Sequence, residues 1–173
     1  MKEPDFPDNE AQRIKDLHSL DILDTEPEER FDRVTRIAKH LFDVPIAVVS
    51  LVDNHRQWFK SCIGLPVRET ARNVSFCGHV INDDGPFIIN DATKDPRFLD
   101  NPLVMGEPFI RFYAGVPLVY HNQSKLGTLC IIDTKPRELT MQQMADLVDL
   151  AKVAEQELEA VSYTHLRAHE TTD

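Results

Sequence analysis

The chain has 173 residues, enough for one compact domain with a proper core and short for two. Hydrophobic residues make up 42% and charged residues 28%, which excludes a disordered or fibrous chain. A net charge of -10 with no local basic patch argues against nucleic acid or an anionic membrane surface as partner. Cys62, Cys77 and Cys130 are odd in number and free of CxxC pairing, so neither a disulfide framework nor a zinc knuckle is expected and a reducing compartment fits. The N-terminus MKEPDFPDNE lacks the basic and apolar regions of a signal peptide, and no later stretch is apolar enough to span a bilayer, so the chain reads as cytoplasmic.

Residues 1–7 read as a flexible leader, after which Asp8 is placed to cap a helix with Ile14 and Leu17 on one face. Thr25-Glu26-Pro27-Glu28 has capping-box spacing ahead of a second helix with Phe31, Val34, Ala38 and Leu41 as its buried stripe. Pro45 stops that helix, and the β-branched run 46–52 predicts a central strand. Asp53-Asn54-His55 supplies a turn, residues 57–62 the returning arm of a hairpin, and 64–73 a connecting loop.

Ser75 is expected to cap a short helix through Val80 and Ile81, ended by the turn chemistry of 82–86, with a strand over 87–89. From 91 to about 107 the chain is a long loop, because Pro96, Pro102 and Pro108 forbid an extended helix. Residues 111–120 and 125–133 flank the polar turn His121-Asn122-Gln123-Ser124 as two hairpin strands, with Pro117 implying an edge or a bulge. Thr140 and Gln143 form a second capping box. Met144, Leu147, Ala151, Ala154 and Leu158 follow at alternating spacings of three and four, the pattern of a coiled-coil seam. This order of elements implies an α/β chain of the α+β kind, with a mainly antiparallel sheet and helices against it.

Several stretches together, LDILDTEPEERFDRVTRIA, FDVPIAVVSLVDNHRQWFKS, SFCGHVI, DATKDPRF with NPLV, RFYAGVPLV and LGTLCIID, resemble the GAF family, in particular the N-terminal GAF domains of bacterial diguanylate cyclases and sensor histidine kinases. The resemblance implies a six-stranded antiparallel sheet with the terminal helices on one face. On the other face it implies a ligand pocket roofed by the short helix and the long loop. A single domain over 8–160 is expected. The closing VSYTHLRAHETTD departs from the family pattern and resembles translated sequencing-adapter read-through, so 161–173 is set apart as a non-native tail. On that reading a downstream effector of GGDEF or kinase type lies beyond the chain.

Candidate pocket residues are Trp58, Phe59, Ser75, Cys77, His79, Asp91, Arg111, Tyr113 and Cys130. Cys77, near the start of a short helix, is a potential redox or attachment point, against the plain alternative of inert buried filler. A Cys77-His79 dyad is disfavoured because residues two apart on a helix point away from each other. His79 alone suits a haem iron or a ligand carboxylate, or simply a packed pocket wall. Asp91, Arg111 and Tyr113 can orient a small polar ligand, or Asp91 and Arg111 can merely pin the loop. Trp58 and Phe59 lie on opposite faces of one strand, so at most one of them lines a pocket.

Cys62 and Cys130 sit in apolar strand patterns, and no cluster has metal-site spacing, so no metal is expected and no cofactor is singled out. His165 and His169 have a metal-like spacing but fall in the tail. The reading that follows is a non-catalytic sensor: an unidentified small molecule binds, and a homodimer relays its state along the Met144 to Leu158 seam. The alternatives are a redox enzyme similar to the GAF-fold free methionine sulfoxide reductases, whose cysteine spacing this chain does not share, and a purely structural dimerisation domain.

Overall fold

The computed structural model describes the backbone of residues 1–172 and the side chains of residues 1–164. Two helices, α1 (Glu10–Ser19) and α2 (Glu29–Phe42), precede the hairpin β1 (Ile46–Val52) and β2 (Arg56–Ile63). A short β3 (Glu69–Ala71), a one-turn α3 (Cys77–Val80) and β4 (Phe87–Ile89) follow. After a second short helix, α4 (Pro102–Met105), come the hairpin β5 (Phe112–Val119) and β6 (Lys125–Asp133) and the long helix α5 (Met141–Thr172). The six strands form one antiparallel sheet in the order β3-β2-β1-β6-β5-β4.

Period-two alternation divides the interior into two cores. Ala47, Val49 and Leu51 of β1 share one face of the sheet with Trp58, Ala114, Val116, Leu129 and Ile131. Against them pack Leu17 of α1, Phe31, Val34 and Ala38 of α2, and Leu147, Ala151, Ala154 and Leu158 of α5. Ile46, Val48 and Val52 point the other way and join Phe59, Tyr113, Cys130 and Ile132 under the roof formed by α3 and the long loop. The close approach of β1 and β6 depends on Gly127, where an added Cβ would fall 1.8 Å from the Ser50 carbonyl oxygen.

Several expectations need correction. The four α5 residues Leu147, Ala151, Ala154 and Leu158 are at most 1% exposed and face this chain's own sheet, while Met144 is half-buried. A three-four apolar spacing marks any one-faced helix and does not say which surface covers that face. Here the stripe belongs to the core, and Val161, assigned to the tail on sequence, is buried in it too. The stripe of α2 closes with Phe42, and Leu41 is 51% exposed.

Thr25 caps nothing. Its hydroxyl donates to the Ile22 carbonyl and accepts from Lys60, whose buried ammonium also meets the Glu26 carbonyl and the Glu28 carboxylate. A bulge in β2 opposite Val49 and Ser50 turns Lys60 and Ser61 to the same side, toward α2, and a local motif cannot announce that tertiary competitor. The second capping box forms as read, with Thr140 Oγ1 accepting from the Gln143 amide and Gln143 Oε1 from the Thr140 amide. Pro117 lies past the end of β4, where β5 is the sheet edge and no partner needs its missing N–H.

The leader is held down. Lys2 N–H donates to the Arg97 carbonyl, Asn82 donates to the Asp5 carbonyl, and the Arg72 guanidinium stacks 4.2 Å from the Phe6 ring centre. Pro4 lies so close to Gly78 of α3 that a Cβ there would be 2.7 Å from its ring. One ionic cluster joins leader, roof and helix layer. Glu10 of α1 accepts from Arg13 and from Arg72, and both guanidiniums are almost fully buried and reach backbone carbonyls at the end of β1.

Burial works to raise the Glu10 pKa, but hydrogen bonds from Arg13 and Arg72 outweigh it and hold the carboxyl at about 2. The folded value lies below the ordinary 4.5, so the stabilisation is whole above that pH and drains away as pH falls toward 2. Glu10→Gln should cost about 3 kcal/mol at neutral pH and flatten the loss of stability between pH 5 and 2, measured by denaturant titration. Leu147→Ala should cost about 3 kcal/mol, with a fall in melting temperature that does not depend on protein concentration; a loss that vanishes on dilution would return this residue to a seam between subunits.

Candidate functional site

The roof does not pack solid. Between it and the sheet lies a hollow of about 390 Å³. Its floor comes from alternate residues of four strands: Val48 of β1, Phe59 of β2, Tyr113 of β5, and Cys130 and Ile132 of β6. Phe76 and Cys77 close one end, Leu103 and Ile110 of the long loop cover the top, and the 64–67 loop with Glu107 and Pro108 forms the rim. Gly64 makes the turn from β2 into that rim with a φ of +94°, a left-handed conformation natural to glycine.

The chemistry of the wall is mostly apolar. Glu107 is the one charged residue among those lining it, and no Lys, Arg or His side chain joins. Polar groups gather at the inner end. Thr128 Oγ1 donates to Cys77 Sγ at 3.2 Å, Tyr113 Oη lies 3.2 Å from the same sulfur, and Cys130 lines the same hollow two residues on from Thr128. Ser50 donates to Gln57 Oε1, and Gln57 Nε2 donates to Thr70 Oγ1, a polar string that runs from β1 across β2 to β3.

Burial opposes ionisation of Cys77, yet hydrogen bonds from Cys130, Thr128, Tyr113 and Ser50 bring its pKa down to about 6. Cys130 moves well above the ordinary thiol value, because it shares a hydrogen bond with Cys77 and is buried. The Tyr113 phenol is raised by burial and by the neighbouring sulfurs.

Of the nine candidate residues, Phe59, Cys77, Tyr113 and Cys130 meet in the hollow, and five do not. Trp58 is buried on the helix side under the Arg68 guanidinium, as the opposite parity of neighbouring strand residues requires. Ser75 is spent locally, donating to the Arg72 carbonyl and accepting from the Gly78 amide at the start of α3. His79 turns outward, its Nε2–H donating to the Lys2 carbonyl and its ring edge-on to Phe98; burial and nearby cations lower its pKa.

Asp91 caps the turn at 92–94 through the Thr93 amide and hydroxyl, and Arg111 grips the Val104 and Ile110 carbonyls. Both pin the long loop from outside the hollow. The side chains of His165 and His169 lie outside the described residues. Sequence reasoning missed Ser50, Gln57, Thr70 and Thr128. For Ser50 and Thr128 the signal was present: each interrupts an apolar strand at the same parity as a hollow-facing neighbour, Val48 or Cys130.

Among the described residues no helix is long and apolar enough to cross a membrane. The family model for the GAF domain matches residues 26–158. A cyclic di-GMP phosphodiesterase of Pseudomonas aeruginosa is 45% identical over 137 residues, covering 79% of this chain and 23% of the relative. The chain thus spans less than a quarter of that relative's length.

Among solved structures, the GAF domain from an Acinetobacter phosphoenolpyruvate-protein phosphotransferase has a TM-score of 0.60 at 18% identity, covering 93% of this chain and 96% of that one. A free methionine-R-sulfoxide reductase from Neisseria meningitidis, in complex with its substrate, has a TM-score of 0.64 at 17% identity, covering 95% and 99%. At such identities the likeness to the solved structures speaks for the fold, six antiparallel strands with helices. Since the family match spans most of its length, this chain is a member of the GAF domain family.

Proposed function

We propose that the hollow binds an uncharged, largely apolar small molecule, and that the domain is a non-catalytic sensor passing its occupancy to a downstream effector of GGDEF or kinase type. The observation that carries this reading is a preformed apolar space over the central strands with no cation in its wall. A phosphate or carboxylate buried there would lose its hydration and gain no counter-charge, a cost that selects against nucleotides and free amino acids. The same reasoning disfavours the methionine sulfoxide reductase alternative, since a zwitterionic substrate needs a partner for its carboxylate.

The route of relay is the sheet. Val48 and Ile132 face the hollow, while their neighbours Val49 and Ile131 are in the core that α5 completes. A ligand that shifts the floor therefore shifts what α5 rests on. The family membership and the partial length of the match with a cyclic di-GMP phosphodiesterase support an input role beside an effector domain.

The test is thermal stabilisation of the chain by a panel of neutral aromatic and aliphatic probes beside anionic ones of equal size. A neutral probe at a hundred times its dissociation constant should add about 2.7 kcal/mol and raise the melting temperature by roughly 5–10 °C. Val48→Phe, which fills the floor, should abolish the shift while leaving the circular dichroism spectrum unchanged. Stabilisation by anionic probes alone, or shifts that survive the filled floor, would overturn the reading.

A further inference from the structure

Two thiols far apart in sequence meet inside the hollow. Cys77 comes down from the roof helix α3 and Cys130 comes up from β6, the strand beneath it. Both are almost fully buried against protein yet form part of the hollow's wall, where a small solute can reach them. Thr128, two residues before Cys130 on β6, donates through its Oγ1 to the Cys77 sulfur at 3.2 Å, and Tyr113 Oη lies 3.2 Å from the same sulfur. No role for both thiols follows from apolar binding alone.

We propose that Cys77 and Cys130 are a redox pair, oxidised by a hydroperoxide inside the hollow to a disulfide that ties the roof to the sheet. This rests on the hollow for access, but not on any ligand being bound there. Hydrogen peroxide suits the route, being small and uncharged in a wall without cations.

In the first step the Cys77 thiolate attacks one peroxide oxygen and the O–O bond breaks. The departing hydroxide takes up the proton the thiol released, leaving water and a sulfenic acid on Cys77. In the second step the Cys130 sulfur attacks the sulfenic sulfur, the S–S bond forms as the S–O bond breaks, and the hydroxyl leaves with the Cys130 proton as a second water. Two electrons pass from the sulfurs to the peroxide, and an external dithiol reverses the change. Because the bond joins α3 to β6 across the inner end of the hollow, it fixes the roof and alters the space a ligand would enter.

Cys62 serves as an internal control. It lies outside the hollow, in the groove beside α2, and burial raises its pKa. The experiment treats the folded, ligand-free chain with hydrogen peroxide, then alkylates it under denaturing conditions and maps its peptides by mass. Of the three free thiols, Cys62 should remain, the intact mass should fall by about 2 Da, and one cross-link should join the peptides of Cys77 and Cys130. Dithiothreitol should restore the starting mass. Cys62→Ser should leave the cross-link in place, and Cys77→Ser and Cys130→Ser should each remove it.

Persistence of all three thiols at peroxide levels that oxidise the unfolded chain would overturn the proposal. So would sulfinic acid without a link, or a link through Cys62. The cross-link is read without ligand, so its absence leaves apolar binding standing, and a failure of every probe to bind leaves the cross-link standing.

Discussion

Strands β1 and β6 carry apolar side chains on both faces, so each must be covered twice. That requirement dictates the rest of the molecule. One face takes α1, α2 and α5, regular helices whose stripes interdigitate with the sheet and leave it sealed. The other face is covered by single helical turns and a proline-rich loop, which cannot lay down a continuous ridge of side chains. The hollow is where that irregular cover fails to meet the sheet.

Irregular cover needs fastening, and buried charge does it. Arg72 at the foot of the roof and Arg13 in the helix layer share the Glu10 carboxylate, while Arg111 ties α4 to the chain that leaves it through the Val104 and Ile110 carbonyls. Lys60 plays the same part at the start of α2, where it gathers a hydroxyl, a carbonyl and a carboxylate. Buried cations are tolerated because every one of these contacts is a charge-assisted hydrogen bond. They also leave the hollow's own wall free of positive charge, since the cations are committed elsewhere.

Much of this was legible in the sequence where the signal is local. The β-branched run of β1, the Thr140 capping box and the prolines of the long loop specify their elements through backbone chemistry that neighbours cannot easily override. The three-residue β3 was invisible because Glu69-Thr70-Ala71 has no alternation to read, and pairing with β2 alone makes it a strand. Site residues were half legible. Cys77, Tyr113, Cys130 and Phe59 were among the candidates, but parity alone left Trp58 and Phe59 as equal choices, and only the sheet's packing decides between them. Asp91, Arg111 and His79 were misplaced because each side chain's direction is set by the backbone partner it finds, an amide for Asp91 and carbonyls for Arg111 and His79, and composition does not encode that. The α5 stripe shows the same limit, since spacing defines a face without naming what it meets.

The rim loop has a second side. Leu65, Pro66 and Val67 line the hollow and equally line the groove of about 380 Å³ in which Asp32, Thr35 and Arg36 of α2 stand. One thin partition thus separates a chamber without cations from a groove that holds Arg36, Lys60 and Arg68 at the sheet's margin. Side chains barely compress, so a bulky occupant that pushes Leu65, Pro66 and Val67 outward presses them into the groove beside α2, and contact with one space is felt in the other.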